Sequence, residues 1–321
     1  MKEKAQTAPG GFARGRFTSA PQAHRMGAEG EWSDMTRTYA VLGGDKRQLL
    51  LADLLEREGR TVFRWGFDRV EGVRETSLEE AVSADVVILP LPLSWDGSTL
   101  HLPLSAAQIA LSDLWPLLDS RRQLLCGGNI SRAVREQARR ERLELTDYFG
   151  REEVQVGNAV PTAEGAIQAA MEATDRTLHG ARALVIGYGR IGKVLAQDLR
   201  GLGAEVTACA RKYRDLAWIA AQGFHALHTE GLPGKLGAFD VIFNTVPAVI
   251  LDRARLAELK RGCVVVDVAS DPGGVDFAAA EELGVPAVWA RGLPGKVAPL
   301  TAAEILRDAI DHILKERGES I

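Results

Sequence analysis

The sequence predicts an α/β fold of two doubly wound, parallel-sheet lobes joined by a long hinge helix. Two series of short apolar strands alternate with helices, a pattern that builds parallel sheets with helices on both faces. The second series opens on a glycine-spaced turn between a strand and a helix, and a run of strong helix formers separates the two series.

Size and composition set the bounds. A chain of 321 residues is long enough for two hydrophobic cores. Its 46% apolar and 26% charged residues are those of a globular protein. A net charge of -4 gives no pull toward nucleic acid or a membrane surface. No apolar run approaches the roughly 18 residues of a membrane span. Cys126, Cys209 and Cys263 sit in apolar, strand-like stretches without CxxC spacing. That usage points to a reducing, cytoplasmic compartment and to no metal site. Residues 1–34 are rich in Gly, Ala, Pro and Ser and show neither period. They lack a secretory h-region, and around Arg14, Arg16 and Arg25 they lack the apolar moment of a targeting peptide, so they read as a disordered extension. Patterned sequence starts at Thr38, which makes Met35 the expected natural start.

The first lobe, expected over 35–150, reads strand 39–43, helix 48–58, strand 61–65, helix 77–82 and buried strand 85–89. Pro90, Pro92 and Gly97 open a loop, followed by helix 105–117, strand 123–126, helix 131–140 and strand 143–145. A hinge segment spans 151–180, with Pro161 suited to a first helical position and 163–174 rich in helix formers. Asn158, Thr162 and Glu164 flank that start, either as helix caps or as catalytic candidates facing a cleft. The second lobe, over 181–300, carries strands at 183–186, 206–209, 224–227, 241–243, 264–268 and 287–289, with helices at 191–199 and 216–222. A last helix, within 301–321, has Ile305, Leu306, Ile310 and Leu314 at helical spacing, a face suited to packing back on the first lobe.

Chemistry concentrates in one motif. Gly187-Tyr188-Gly189-Arg190-Ile191-Gly192 follows the strand ALVI and opens a helix, the context of a Rossmann dinucleotide turn. Gly187 permits the turn, Gly189 admits the pyrophosphate, and Gly192 lets helix and strand pack closely. The helix N-terminus adds free N–H groups and partial positive charge. The second strand lacks the terminal carboxylate that binds a ribose 2′-OH, since Glu205 lies at its wrong end. Arg211 and Lys212 stand at the right end and suit a 2′-phosphate, so the expected cofactor is NADP; the other reading is an exposed basic turn. Thr245, Val246, Pro247, Asp267 and Ser270 end later strands and are expected beside the nicotinamide half, Ser270 as a catalytic candidate. Turn-forming loops at 271–274 and 292–295 lie on the same edge. In the first lobe, Gly44, Lys46 and Arg47 follow the first strand and form either a small-carboxylate site or a solvated basic turn. No histidine has metal-ligand spacing, and none lies near the last three strands.

Several of these stretches, in this order, resemble the A-subunit family of dipicolinate synthase: VLGGDKRQ (41–48), GFD (66–68), NAVPTAEGAI (158–167), TLHGARALVIGYGRIG (177–192), NTVP (244–247), DVASDPGGVDF (267–277) and RGLPGKVAPLTA (291–302). The resemblance covers nearly everything after Met35. It implies NADP-dependent oxidation of dihydrodipicolinate to dipicolinate (pyridine-2,6-dicarboxylate) in the mother cell during sporulation. It also implies a partner, the flavoprotein-like B subunit. It supplies no catalytic residue, and PLPLSWDGS (90–98) departs from the family's pattern where substrate contacts are expected. Two other readings stand beside it: an NADP-dependent 2-hydroxy-acid dehydrogenase, and a non-catalytic NADP-sensing subunit. Homo-oligomerisation is compatible with each.

Overall fold

The computed structural model describes residues 37–318. The extension expected over 1–34 and the start expected at Met35 lie outside the described residues. The first lobe runs β1 (Thr38–Leu42), α1 (Lys46–Arg57), β2 (Thr61–Trp65), α2 (Leu78–Ala81), β3 (Val86–Ile88), α3 (Leu111–Leu114), β4 (Leu124–Gly127), α4 (Arg132–Arg140) and β5 (Leu145–Asp147). Helix α5 (Glu152–Ala173) links it to the second lobe. That lobe runs β6 (Arg182–Ile186), α6 (Arg190–Gly201), β7 (Glu205–Ala210), α7 (Tyr213–Ala221), β8 (His225–His228), β9 (Val241–Asn244), α8 (Arg253–Leu256), β10 (Val264–Asp267), α9 (Phe277–Glu282), β11 (Ala287–Trp289) and α10 (Leu293–Val297). Helix α11 (Pro299–Glu316) follows.

Among the described residues the strands form two sheets, parallel at every pairing, ordered β2-β1-β3-β4-β5 and β11-β10-β9-β6-β7-β8. Both orders are doubly wound, but they differ: the first is flavodoxin-like and the second is the full Rossmann order. Strands β3, β4, β6, β9 and β10 are apolar and buried nearly throughout, as strands covered on both faces must be. Strand order reverses between β1 and β3 in one lobe and between β6 and β9 in the other. Those two points are where each sheet's loops part to leave a crevice.

Local chemistry corrects several expected boundaries. The linking helix starts at Glu152, so Pro161 lies inside it rather than in its first turn. A proline there leaves the Gly157 carbonyl without its helical donor. The helix persists because Ala159, Ala163, Ala166 and Ala170 are almost fully buried along one side, with α6 packed against it. Asn158, Thr162 and Glu164 are therefore mid-helix and cap nothing. The helix expected over 105–117 shrinks to α3 and one 3₁₀ turn, Trp115–Leu117. Its first residues are held elsewhere: the Asp68 carboxylate takes the Ser105 hydroxyl and the Ala106 N–H. The turn expected at 292–295 instead opens α10, with Gly292 in left-handed conformation (φ 66°) before it. The strand expected over 143–145 is β5, two residues on.

Helix α11 lies on the first lobe. Leu306, Ile310, Ile313 and Leu314 join Leu51, Leu55 and Ile88 in one buried cluster. Arg60 forks onto Asp311 at 2.7 and 2.8 Å. Arg151 pairs with Glu316, and Arg307 with Glu58. The three cysteines are free and buried, and no helix among the described residues is long and apolar enough to cross a membrane.

Candidate active site

The glycine turn sits at the carboxyl end of β6, at the second lobe's reversal of strand order. Gly187 takes φ +100°, and a side chain there would collide with Thr245, whose hydroxyl donates to the Ile186 carbonyl at 3.0 Å. A Cβ on Gly192 would strike the Gly187 carbonyl, so strand and helix are in backbone contact. Gly189, by contrast, is exposed, with nothing within 4 Å of where its Cβ would stand. It is the N-cap of α6, with no side chain bonded to the helix start. Free N–H groups facing open space over a glycine are what a pyrophosphate needs. The residues present fit a dinucleotide.

The other motif residues divide between backbone and side-chain roles. Tyr188 is buried, with its hydroxyl bonded to Gln222, and Ile191 packs on the second lobe's core. Arg190 turns to the linking helix, bonding Glu152 at 2.6 Å and Gln155 at 2.6 Å. Its guanidinium thus ties the turn to α5 and is spent before any phosphate arrives. That pairing holds the Glu152 carboxyl below its usual range. At the end of β7, Arg211 and Lys212 are exposed, and neither side chain has an ion-pair partner among the described residues. The His228 ring contacts the Arg211 carbonyl through Nε2 (3.0 Å), accepts the Glu230 N–H at Nδ1, and stacks under Tyr213 at 5.5 Å. The backbone beneath the two cations is thereby fixed.

The carboxyl ends of β9 and β10 are locked together. Asn244 and Asp267 are both fully buried. Asn244 donates to Asp267 at 2.8 Å and to the Val246 carbonyl at 2.9 Å. Asp267 also accepts the N–H groups of Ala269 (3.0 Å) and Gly274 (2.7 Å). Expected beside the cofactor, Asp267 instead spends its carboxyl on shaping the loop. Val246, Pro247 and Ser270 remain at the surface of this edge, Pro247 and Ser270 exposed.

The expected anion site in the first lobe is filled from within. Asp45 caps α1, accepting the Arg47 N–H, while Gln48 reaches back to the Asp45 N–H. The Arg47 guanidinium closes on the same Asp45 carboxylate at 2.7 Å and on the Leu91 carbonyl at 2.8 Å. A helix N-terminus holding its own carboxylate has little left for another. Lys46 is exposed, and a Cβ on Gly44 would meet Gln48. The Asp-x-x-Gln spacing of a capping box is legible in the sequence and is the signal that marks this site as self-filled. From the second lobe, Gly295 of α10 abuts Arg47 and Asp45, with Arg47 Nε 2.9 Å from where its Cβ would stand.

On α5, Asn158 is buried and its Oδ1 has no hydrogen-bond partner. The Thr162 hydroxyl is spent on the Asn158 carbonyl at 2.6 Å, and Glu164 is exposed. His101, absent from the sequence-based candidates, comes to the first lobe's turn: its carbonyl accepts the Gly44 N–H at 3.0 Å. Burial holds its imidazole below the usual histidine range, opposed by the Asp45 charge and aided by Arg47. No group of His, Cys, Asp or Glu among the described residues is arranged to hold a metal.

Comparison with known proteins places both lobes. Residues 38–149 match the N-terminal domain of the dipicolinate synthase A subunit, and residues 151–276 match the NAD binding domain of D-isomer specific 2-hydroxyacid dehydrogenases. The chain is 33% identical over 285 residues to the dipicolinate synthase A subunit of Bacillus subtilis (strain 168), covering 86% of this chain and 95% of that one. The crystal structure of the dipicolinate synthase A subunit from Bacillus halodurans superposes with a TM-score of 0.78 at 32% identity, over 87% of this chain and 98% of the other. A transhydrogenase from Sinorhizobium meliloti shares the fold, with a TM-score of 0.64 at 18% identity over 87% of this chain and 94% of its own.

Proposed function

Because the chain belongs to the family of dipicolinate synthase A subunits, we propose that it oxidises dihydrodipicolinate to dipicolinate with NADP as the hydride acceptor. The observation that carries this reading is that the likeness spans both lobes, 86% of this chain and 95% of the relative, so the cofactor turn and the first lobe are inherited together. The reaction balances simply: the dihydropyridine loses one hydride and one proton and becomes aromatic. When bound, the nicotinamide accepts that hydride, and the protein's part is binding and orientation.

The chain's residues divide that work. Backbone N–H groups over Gly189 hold the pyrophosphate, and the open space there gives it room. Arg211 and Lys212, exposed at the end of β7 and without an ion pair among the described residues, take the 2′-phosphate, which favours NADP over NAD. The loop shaped by Asn244 and Asp267 fixes the backbone at Val246, and Val246 and Pro247 would flank the nicotinamide half of the cofactor. Asn158 Oδ1, buried and unpaired, is an acceptor waiting for a donor from the ligand and is the strongest of the four catalytic candidates. Thr162 spends its hydroxyl on the Asn158 backbone carbonyl, while Glu164 and Ser270 are reserve candidates on exposed surface. A partnership with the flavoprotein-like B subunit, a cytoplasmic setting in the sporulating mother cell, and self-association belong to the same proposal.

The test supplies the purified chain with NADP and freshly made dihydrodipicolinate, with and without the B subunit, and follows dipicolinate and NADPH together. Matched appearance of both is expected. NADP binding with neither product in either condition would sink the dehydrogenase reading in favour of a sensor.

A further inference from the structure

Each lobe has its own reversal of strand order, and only the second is taken up by the glycine turn. In the first lobe the reversal falls between β1 and β3, whose carboxyl ends lead into 43–47 and 90–105. Open α/β sheets bind ligands at such a point. A cavity of about 430 Å³ opens among the loops that follow β2 and β3, bounded by Arg69, Trp95, His101 and Ser105, and His101 ties it to the reversal through the bond from the Gly44 N–H to its carbonyl.

Three side chains of its wall stand within reach of a ligand. The Trp95 side chain is 68% exposed, its ring meeting His101 edge-on with centres 5.7 Å apart. It is presented by a turn in which the Asp96 carboxylate takes the N–H groups of Ser98 and Thr99 and the hydroxyls of Ser94 and Thr99. The Arg69 guanidinium is exposed and makes no ion pair among the described residues, its neighbour Asp68 being engaged by Ser105 and Ala106. The half-buried imidazole of His101 has no side-chain hydrogen bond among the described residues. Arg47, the other cation near this edge, is already neutralised by Asp45.

We propose that this crevice binds a planar ring carboxylate, with Arg69 pairing the carboxylate, Trp95 packing on the ring, and His101 hydrogen-bonding the ring's second polar substituent. An aromatic face, an exposed planar cation and an imidazole donor-acceptor match such a molecule. Its identification with dihydrodipicolinate and dipicolinate rests on the function proposed above. The site also lies in and beside 90–98, the stretch that departs from the family's sequence pattern.

Calorimetric titration of the full chain with dipicolinate, in EDTA because this dicarboxylate chelates metals, tests the assignment. Trp95→Ala and Arg69→Gln should each weaken binding by about tenfold or more, with NADP affinity unchanged as the sign of an intact fold. Arg69→Lys should recover part of the loss, and His101→Gln should weaken binding less than either. If the wild-type chain forms dipicolinate while these variants keep its KM and product affinity within about twofold, the crevice assignment is overturned and the function stands. If the chain forms no dipicolinate but binds benzene-1,3-dicarboxylate in a Trp95- and Arg69-dependent way, the crevice stands and the reaction assignment falls.

Discussion

Arg211 and Asp267 show how differently two residues at strand ends are used. Arg211 is exposed and has no ion pair among the described residues, so Arg211→Ala removes a charge-assisted contact to the cofactor and no such pair from the fold. We expect NADP affinity to fall about tenfold to a hundredfold with NAD affinity nearly unchanged, read by fluorescence titration with both cofactors. Asp267→Ala does the reverse. It strips partners from the Asn244 amide and from the N–H groups of Ala269 and Gly274, all buried. A cost of about 3 kcal/mol in stability is expected, read as a lower midpoint in denaturant with an unchanged slope. Sequence spacing alone does not separate the two, because burial decides the outcome and burial depends on the neighbouring strand. The pyrophosphate turn is legible since its three glycines, strand and helix are contiguous. Trp95, Arg69 and His101 are not, because they stand on two loops brought together by a strand order that no local pattern encodes.

At the scale of elements, the regular strands and most helices follow directly from apolar periodicity. The misjudged ones are those where a distant partner overrides propensity. The segment 105–110 has helix-forming residues, yet Asp68 and a bridge between Thr99 and Ala110 hold it extended. Helix α5 passes through a proline because its alanine face is buried against α6. The turn that presents Trp95 depends on one carboxylate. Donation from Ser98 and Thr99 N–H groups holds the Asp96 carboxyl well below the usual range. A lowered pKa stabilises the turn above the ordinary value of about 3.9 and loses that support as pH falls further. We expect Trp95 fluorescence in the wild-type chain to hold through pH 4 and to change only well below it, and the Asp96→Ala variant to lack that acid-induced step.

Across the described residues, one lobe carries an open glycine turn, the other a cavity bounded by an exposed arginine, and α5 and α10 join them. Helix α11 then crosses back to complete the first lobe's core. Ile310 is fully buried there, so Ile310→Ala should cost about 2–4 kcal/mol, read by chemical denaturation. The loss should fall on the first lobe, with protection from hydrogen exchange dropping in β1 and β3 before β6 and β9.

That return has a consequence for synthesis on the ribosome. The strands of the first lobe emerge well before Leu306, Ile310, Ile313 and Leu314, which seal one side of their sheet. Throughout translation of the second lobe, the part of that side that α1 leaves for α11 stays uncovered, and it is apolar. The lobe made first is therefore finished last, and the nascent chain carries an exposed hydrophobic face that chaperones recognise until its final turns leave the exit tunnel.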